Sequence, residues 1–185
     1  MKTLKEIVYR IALHEAGHWV VWYLMGGKSS GIEIQIFEVN GRHTGGMLPL
    51  LDWQIDSLDD ASEYAKARTI SLLAGAYASG YDGTSFNAKK INHDLSDSGG
   101  AKNDFYKAID NLYLYCNINK KLHLTSDIAD GFADIASDFI IDNYDVITEI
   151  ANEFSHMAKL EGELLHLNQE QLISIFNKKK GLNNE

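Results

Sequence analysis

Ile11-Ala12-Leu13-His14-Glu15-Ala16-Gly17-His18-Trp19-Val20-Val21-Trp22-Tyr23-Leu24-Met25 is the stretch on which the fold turns. It is mostly apolar, yet two imidazoles and a carboxylate sit near its centre. Crossing a bilayer takes about 20 mostly apolar residues. This run is too short and too polar in the middle, so it reads as a helix buried in a core. Ile7, Ile11, His14, His18, Trp22 and Met25 recur at helical spacing. Upstream, Thr3 and Glu6 have capping-box spacing, which starts the helix near Leu4. Downstream, Gly26-Gly27 ends it, as glycine does where a left-handed residue closes a helix.

Beyond those glycines the period changes from helical to alternating. Gly31 to Val39 nearly alternates apolar and polar residues, the mark of a half-buried strand. Asn40-Gly41 is a hairpin signal, and a shorter second strand follows from Arg42 to Leu48. Its Gly45-Gly46 pair marks a bulge or a close backbone approach. A second helix, capped within Ser57–Asp60, runs from about Leu58 to Ser79, and its small residues Ala74, Gly75, Ala76 and Ala78 predict tight helix packing. Tyr81 to Gly100 reads as loop. Further helices are expected over Ala101–Cys116, Ser126–Asn143 and Asp145–Leu164, with a last one starting at Asn168, where Gln171 takes the box position. The expected fold is mainly α, a helical bundle with a small β-hairpin or sheet beside the first helix. Residues 1–178 form the expected domain, and the lysine run and tail at 179–185 are expected to fray.

Composition narrows the function classes. The chain has 185 residues, 45% apolar and 23% charged, which suits one globular domain. A net charge of −9 argues against nucleic acid or an anionic membrane as main partner. The lone Cys116 excludes an internal disulfide framework and fits a reducing cytoplasm. No segment reads as a signal peptide or a membrane span.

His14 and His18 stand four residues apart, which on a helix sets both imidazoles on one face. Two nitrogens can then reach one zinc ion at about 2.0–2.1 Å. Glu15 lies roughly 100° around the helix from His14, near the metal but off the ligand axis. A general base that takes a proton from water at the metal belongs there. Burying two imidazoles and a carboxylate without partners is costly, and a zinc ion satisfies all three. A hydrolytic zinc site takes a third protein ligand. His43, His93, Asp94, Asp97 and Asp104 are candidates, and spacing does not choose among them.

Leu13-His14-Glu15-Ala16-Gly17-His18 resembles the active-site helix of the FtsH-type zinc proteases. Leu72-Leu73-Ala74-Gly75-Ala76-Tyr77-Ala78 is similar to that family's small-residue helix. Ser98-Gly99-Gly100-Ala101-Lys102-Asn103-Asp104-Phe105-Tyr106-Lys107-Ala108 resembles its Gly-Ala-x-Asn-Asp-Leu segment, and Leu164-Leu165-His166-Leu167-Asn168-Gln169-Glu170-Gln171-Leu172 its closing segment. The resemblance covers most of the chain. It implies a zinc endopeptidase domain with His14, His18 and Asp104 as metal ligands and Glu15 as catalytic base. No Walker A sequence occurs in these residues, and Tyr81–Ser98 is longer than the family's usual connection. The expected substrate is a flexible or unfolded polypeptide lying along the hairpin edge, with a separate unfoldase or adaptor to supply it. A single-target regulatory protease, or a non-catalytic binding module of the same fold, is the alternative, and the intact Glu15 weighs against the module.

Overall fold

Thr3 opens α1 (Leu4–Leu24) through the capping box that its spacing predicts. The Thr3 side chain accepts from the Glu6 amide, and the Glu6 carboxylate accepts from the Thr3 amide at 2.7 Å. The computed structural model describes residues 3–38, 42–50 and 52–182. After α1 come β1 (Ser29–Ile36), β2 (His43–Pro49), α2 (Leu58–Gly80), α3 (Ala88–Asp94), α4 (Lys102–Ile118), α5 (Thr125–Met157), β3 (Leu164–Asn168) and α6 (Gln169–Lys180). The fold is mainly α with one small antiparallel sheet, as the sequence predicts. None of these helices is long and apolar enough to cross a membrane.

α1 is the central element. It packs most extensively against α2 and α5, and the sheet covers a further side. Val8, Ala12, Ala16, Trp19, Val20 and Trp22 are almost wholly removed from solvent. Each large apolar side chain so buried contributes about 1.5–3 kcal/mol. That apolar burial is the background against which the helix also holds a buried carboxylate and a buried imidazole. β1 lies in the middle of the sheet, in the order β2-β1-β3, and Ile32, Ile34 and Ile36 turn inward from it.

Several expectations need correction. The sheet has a third strand. Leu164–Asn168 pairs with β1, with Leu165 and Leu167 buried and their neighbours exposed. This alternation spans only five residues beside a strongly capped helix, so the segment reads as a helix end from sequence. The break expected between helices at 126–143 and 145–164 is present as a kink at Asn143, where the backbone leaves helical values, but the two halves run on as one element, α5, which ends at Met157 rather than Leu164. Tyr81–Gly100 is not all loop, because Asn87 caps the short α3. The hairpin is present, with Phe37 donating to the Arg42 carbonyl at 3.0 Å, and the Asn40-Gly41 turn lies outside the described residues. Its irregularity falls at Ser29–Gly31, while Gly45 and Gly46 pair regularly with Ile34 and Glu33. The lysine run does not fray through position 180. α6 continues to Lys180, Lys179 pairs with Glu149 at 2.8 Å, and Lys180 pairs with Asp145 at 3.0 Å.

Candidate metal centre

Three side chains from two distant helices converge. His14 and His18 project from α1, one turn apart, and Asp104 from the first turn of α4. His18 Nε2 lies 3.0 Å from His14 Nε2. Asp104 Oδ2 lies 3.4 Å from His14 Nε2 and 3.5 Å from His18 Nε2. Among the described residues these are the one group of three acidic, histidine or cysteine side chains clustered closely enough to hold a metal ion.

The outer ring atoms fix how the rings are used. His18 Nδ1 lies 2.7 Å from the Ser71 carbonyl oxygen, which can only accept, so Nδ1 carries the proton. His18 Nε2 then offers a lone pair to the centre unless the ring is charged. His14 Nδ1 meets Ser79 Oγ at 3.3 Å. Partners of this kind orient metal-binding imidazoles and set their tautomer. Both histidines thus turn Nε2 inward, toward each other and toward a carboxylate.

Such a cluster needs positive charge at its centre. Burial by itself drives the His18 imidazole toward its neutral form, but the Asp104 carboxylate, the Glu15 charge and the Ser71 carbonyl outweigh burial and raise its pKa above the ordinary 6.5. Burial works against the ionised form of Asp104 as well, and the two rings outweigh it and hold that carboxyl well below the usual range. A proton on His18 or a metal cation meets the demand. Two observations are compatible with a metal. First, a tetrahedral ion with bonds of about 2.0–2.2 Å separates its ligand atoms by about 3.3–3.6 Å, the range of the two Asp104 spacings, while the two nitrogens lie closer, at 3.0 Å. Second, α2 sets a glycine against both rings. A Cβ added at Gly75 would lie 2.4 Å from His18 Nε2 and 2.7 Å from His14 Nε2. Only a residue without a side chain lets α2 approach these nitrogens so closely.

Glu15 stands beside this triad, buried, and is held from the sheet. Its Oε2 accepts from the Met47 amide at 2.8 Å. Its Oε1 has no hydrogen-bond partner among the described residues and lies on the side of Gly45, whose added Cβ would come 3.3 Å from it. His14, Glu15 and Asp104 line a cleft of about 670 Å³ between α1, the β2 edge and the start of α4.

No protein-family model matches this chain, and no curated protein matches it.

The structure gathers His14, His18, Asp104 and Glu15 as the sequence motifs predict. His43 and Asp94 line the same cleft but stand outside the triad, and Asp94 is paired with Lys90. His93 is exposed on α3, and Asp97 engages Tyr106 and Lys102. Sequence reasoning missed Ser71, Ser79, Met47 and the function of Gly75. The small-residue run of α2 predicts close helix packing, and Ala74 and Ala78 do lie against Gly17 of α1, but the run does not say that Gly75 lies against the two histidine rings. A backbone carbonyl such as that of Ser71 leaves no trace in residue type.

Proposed function

We propose that this chain is a zinc-dependent endopeptidase that hydrolyses flexible or unfolded polypeptides, with His14, His18 and Asp104 as the metal ligands and Glu15 as the general base. The carrying observation is the convergence of two imidazole Nε2 atoms and one carboxylate oxygen, with Gly75 close against the rings and a carboxylate from the same helix as the histidines alongside. The likeness of four separate segments to the FtsH-type proteases supports the same reading. A zinc ion held by these three groups supplies a Lewis acid that makes water acidic near neutral pH and polarises a carbonyl.

The chain's own residues do the rest. Glu15 takes a proton from water at Oε1 and returns it to the leaving amine. Met47 holds Oε2 and so fixes the carboxylate's orientation. Ser71 and Ser79 keep both rings turned with Nε2 inward. The Met47 amide points off the sheet toward Glu15, so Met47 and, two residues back, Gly45 present their backbone groups at the free edge of β2. An extended substrate segment pairs there as an added strand, which brings its backbone past the triad. Such an edge accepts unfolded chain only, so a separate unfoldase or adaptor, or a naturally flexible target, supplies the substrate. Cytoplasmic location suits the single buried Cys116.

Metal analysis of purified protein should find about one zinc per chain. Peptide-library cleavage should appear in the wild type and vanish in Glu15→Gln. A protein that refuses zinc, or equal cleavage by the variant, would sink the reading.

A further inference from the structure

The peptidase reading leaves the choice of substrate open, and the charge distribution of the cleft bears on it. The chain carries a net −9, yet the cleft wall holds Arg10, Lys90 and Lys107. Lys90 is matched by Asp94 one helical turn away. The Arg10 and Lys107 side chains form no ion pair or hydrogen bond among the described residues, and both are exposed. The remaining acids of the wall are Glu15 and Asp104, the base and the metal ligand themselves.

The positions of the two unmatched cations are systematic. Arg10 precedes His14 by four residues on α1, about 6 Å along the helix on the same face. Lys107 follows Asp104 by three residues on α4, about 4.5 Å along. A cation thus stands one turn outside the triad on each of the two helices that build it. An extended substrate advances about 3.3–3.6 Å per residue, so these charges meet side chains within about two residues of the bond being cut. The first turn of α4 adds to the same sign. It has no side-chain cap, and Ala101, Asn103 and Asp104 carry its amide end to the cleft wall.

We infer that the cleft selects polypeptides bearing a carboxylate within about two residues of the scissile bond, with Arg10 and Lys107 as the specificity-determining residues. This rests on the peptidase reading above. Both cations are solvent-facing, so each interaction is modest and falls with added salt. Together they give a preference of about fivefold to tenfold, expressed in KM more than in kcat.

The test uses peptides blocked at both ends that differ only in Asp against Asn, or Glu against Gln, on either side of the cleaved bond. The wild type should cut the acidic member about fivefold to tenfold better at low salt, and the gap should narrow in high salt. The double variant Arg10→Gln/Lys107→Gln should lose the preference, Arg10→Lys should keep it, and Arg10→Glu should shift it toward basic peptides. Equal cutting of acidic and amide peptides by the wild type, or a preference untouched in the double variant, overturns the inference. A second arm compares neutral peptides with free and amidated C-termini, and a preference confined to free ends assigns the carboxylate to the chain terminus. If no peptide is cut, the peptidase reading fails separately. The carboxylate preference is then read from binding of the same labelled peptides to Glu15→Gln, where equal affinity for the Asp and Asn peptides overturns it.

Discussion

The central helix meets a helix on one flank and a strand on the other, and the two flanks do different work with the same device. On the α2 flank, Gly17 of α1 lies so close to Ala74 and Ala78 that an added Cβ would come 2.5 Å from the Ala78 methyl, while Gly75 of α2 lies under the two histidine rings. On the β2 flank, Gly45 faces Ile11 and Glu15 from an exposed strand. Glycine allows close approach in both places. The helix flank uses it to set the two histidine rings in a packed interior. The strand flank uses it to bring a backbone edge up to the Glu15 carboxylate while leaving that edge open to solvent. On the proposed reading, metal binding and proton transfer fall on adjacent faces of one helix, so cleavage should need both while metal binding should survive loss of the base.

The largest expected effect tests that separation from the base side. Glu15→Gln keeps an acceptor for the Met47 amide but removes the base. Cleavage should fall by about 10²–10⁴ in kcat, while zinc content stays near that of the wild type. A variant that loses zinc along with activity would break the division between the flanks. On the ligand side, Asp104→Ala and Gly75→Ala should each weaken zinc by about 10–100-fold or more, read by competition with a chelator. The first removes a ligand atom. The second puts a methyl against the two Nε2 atoms. If Gly75→Ala bound zinc as well as the wild type, the close approach of α2 to the rings would not matter to the ion.

Acid should reach the ligand flank through His18. The His18 pKa is raised, so the metal-free ring is charged below that raised value and free to bind metal above it. Asp104 is lowered and stays ionised through the same range. Proton competition therefore sets in already above pH 6.5, and zinc affinity should fall as pH drops. A titration of zinc retention against pH that stayed flat down to carboxylate pKa values would point away from His18 as a ligand.

The two flanks were also unequally legible in the sequence. His14, Glu15 and His18 follow from helical spacing alone, because residues four apart share a face and no tertiary knowledge is needed. Asp104 came from motif likeness, since nothing local to α4 distinguishes a ligand from an ordinary first-turn aspartate favoured by the helix dipole. The α2 run from Ala74 to Ala78 announced close packing but not what lay against it. The strand flank was harder. β1 and β2 alternate visibly, whereas β3 has five residues and its pattern is lost against the capped start of α6. The Met47 amide contact with Glu15 depends on sheet register, which residue type does not encode. Gly45-Gly46 reads as a bulge or a close approach; the bulge lies instead at Ser29–Gly31, while Gly45 does come close to α1, at Ile11 and Glu15.

Two further glycine substitutions sharpen the contrast. Gly17→Ala meets backbone as well as a methyl, with the Ala74 carbonyl oxygen 2.8 Å from the new Cβ, so neither neighbour can swing away. It should destabilise the fold by about 1–3 kcal/mol, seen as a lower denaturation midpoint with the slope unchanged. Gly45→Ala should do least. Its new Cβ would lie 2.6 Å from Ile11 Cγ2, the branch methyl of a half-buried side chain at the cleft, and 3.3 Å from Glu15 Oε1. Ile11 is stiff at χ1 within its helix, so the outer, exposed strand β2 must give instead, and the stability change should stay within about 1 kcal/mol. The Glu15 carboxylate has less room, because Met47 pins its other oxygen. Peptide cleavage should therefore drop several-fold while zinc affinity and the denaturation midpoint hardly move. A Gly45→Ala protein that lost zinc or unfolded like Gly17→Ala would show that the strand flank is as rigid as the helix flank, and that the open edge is part of the packed core.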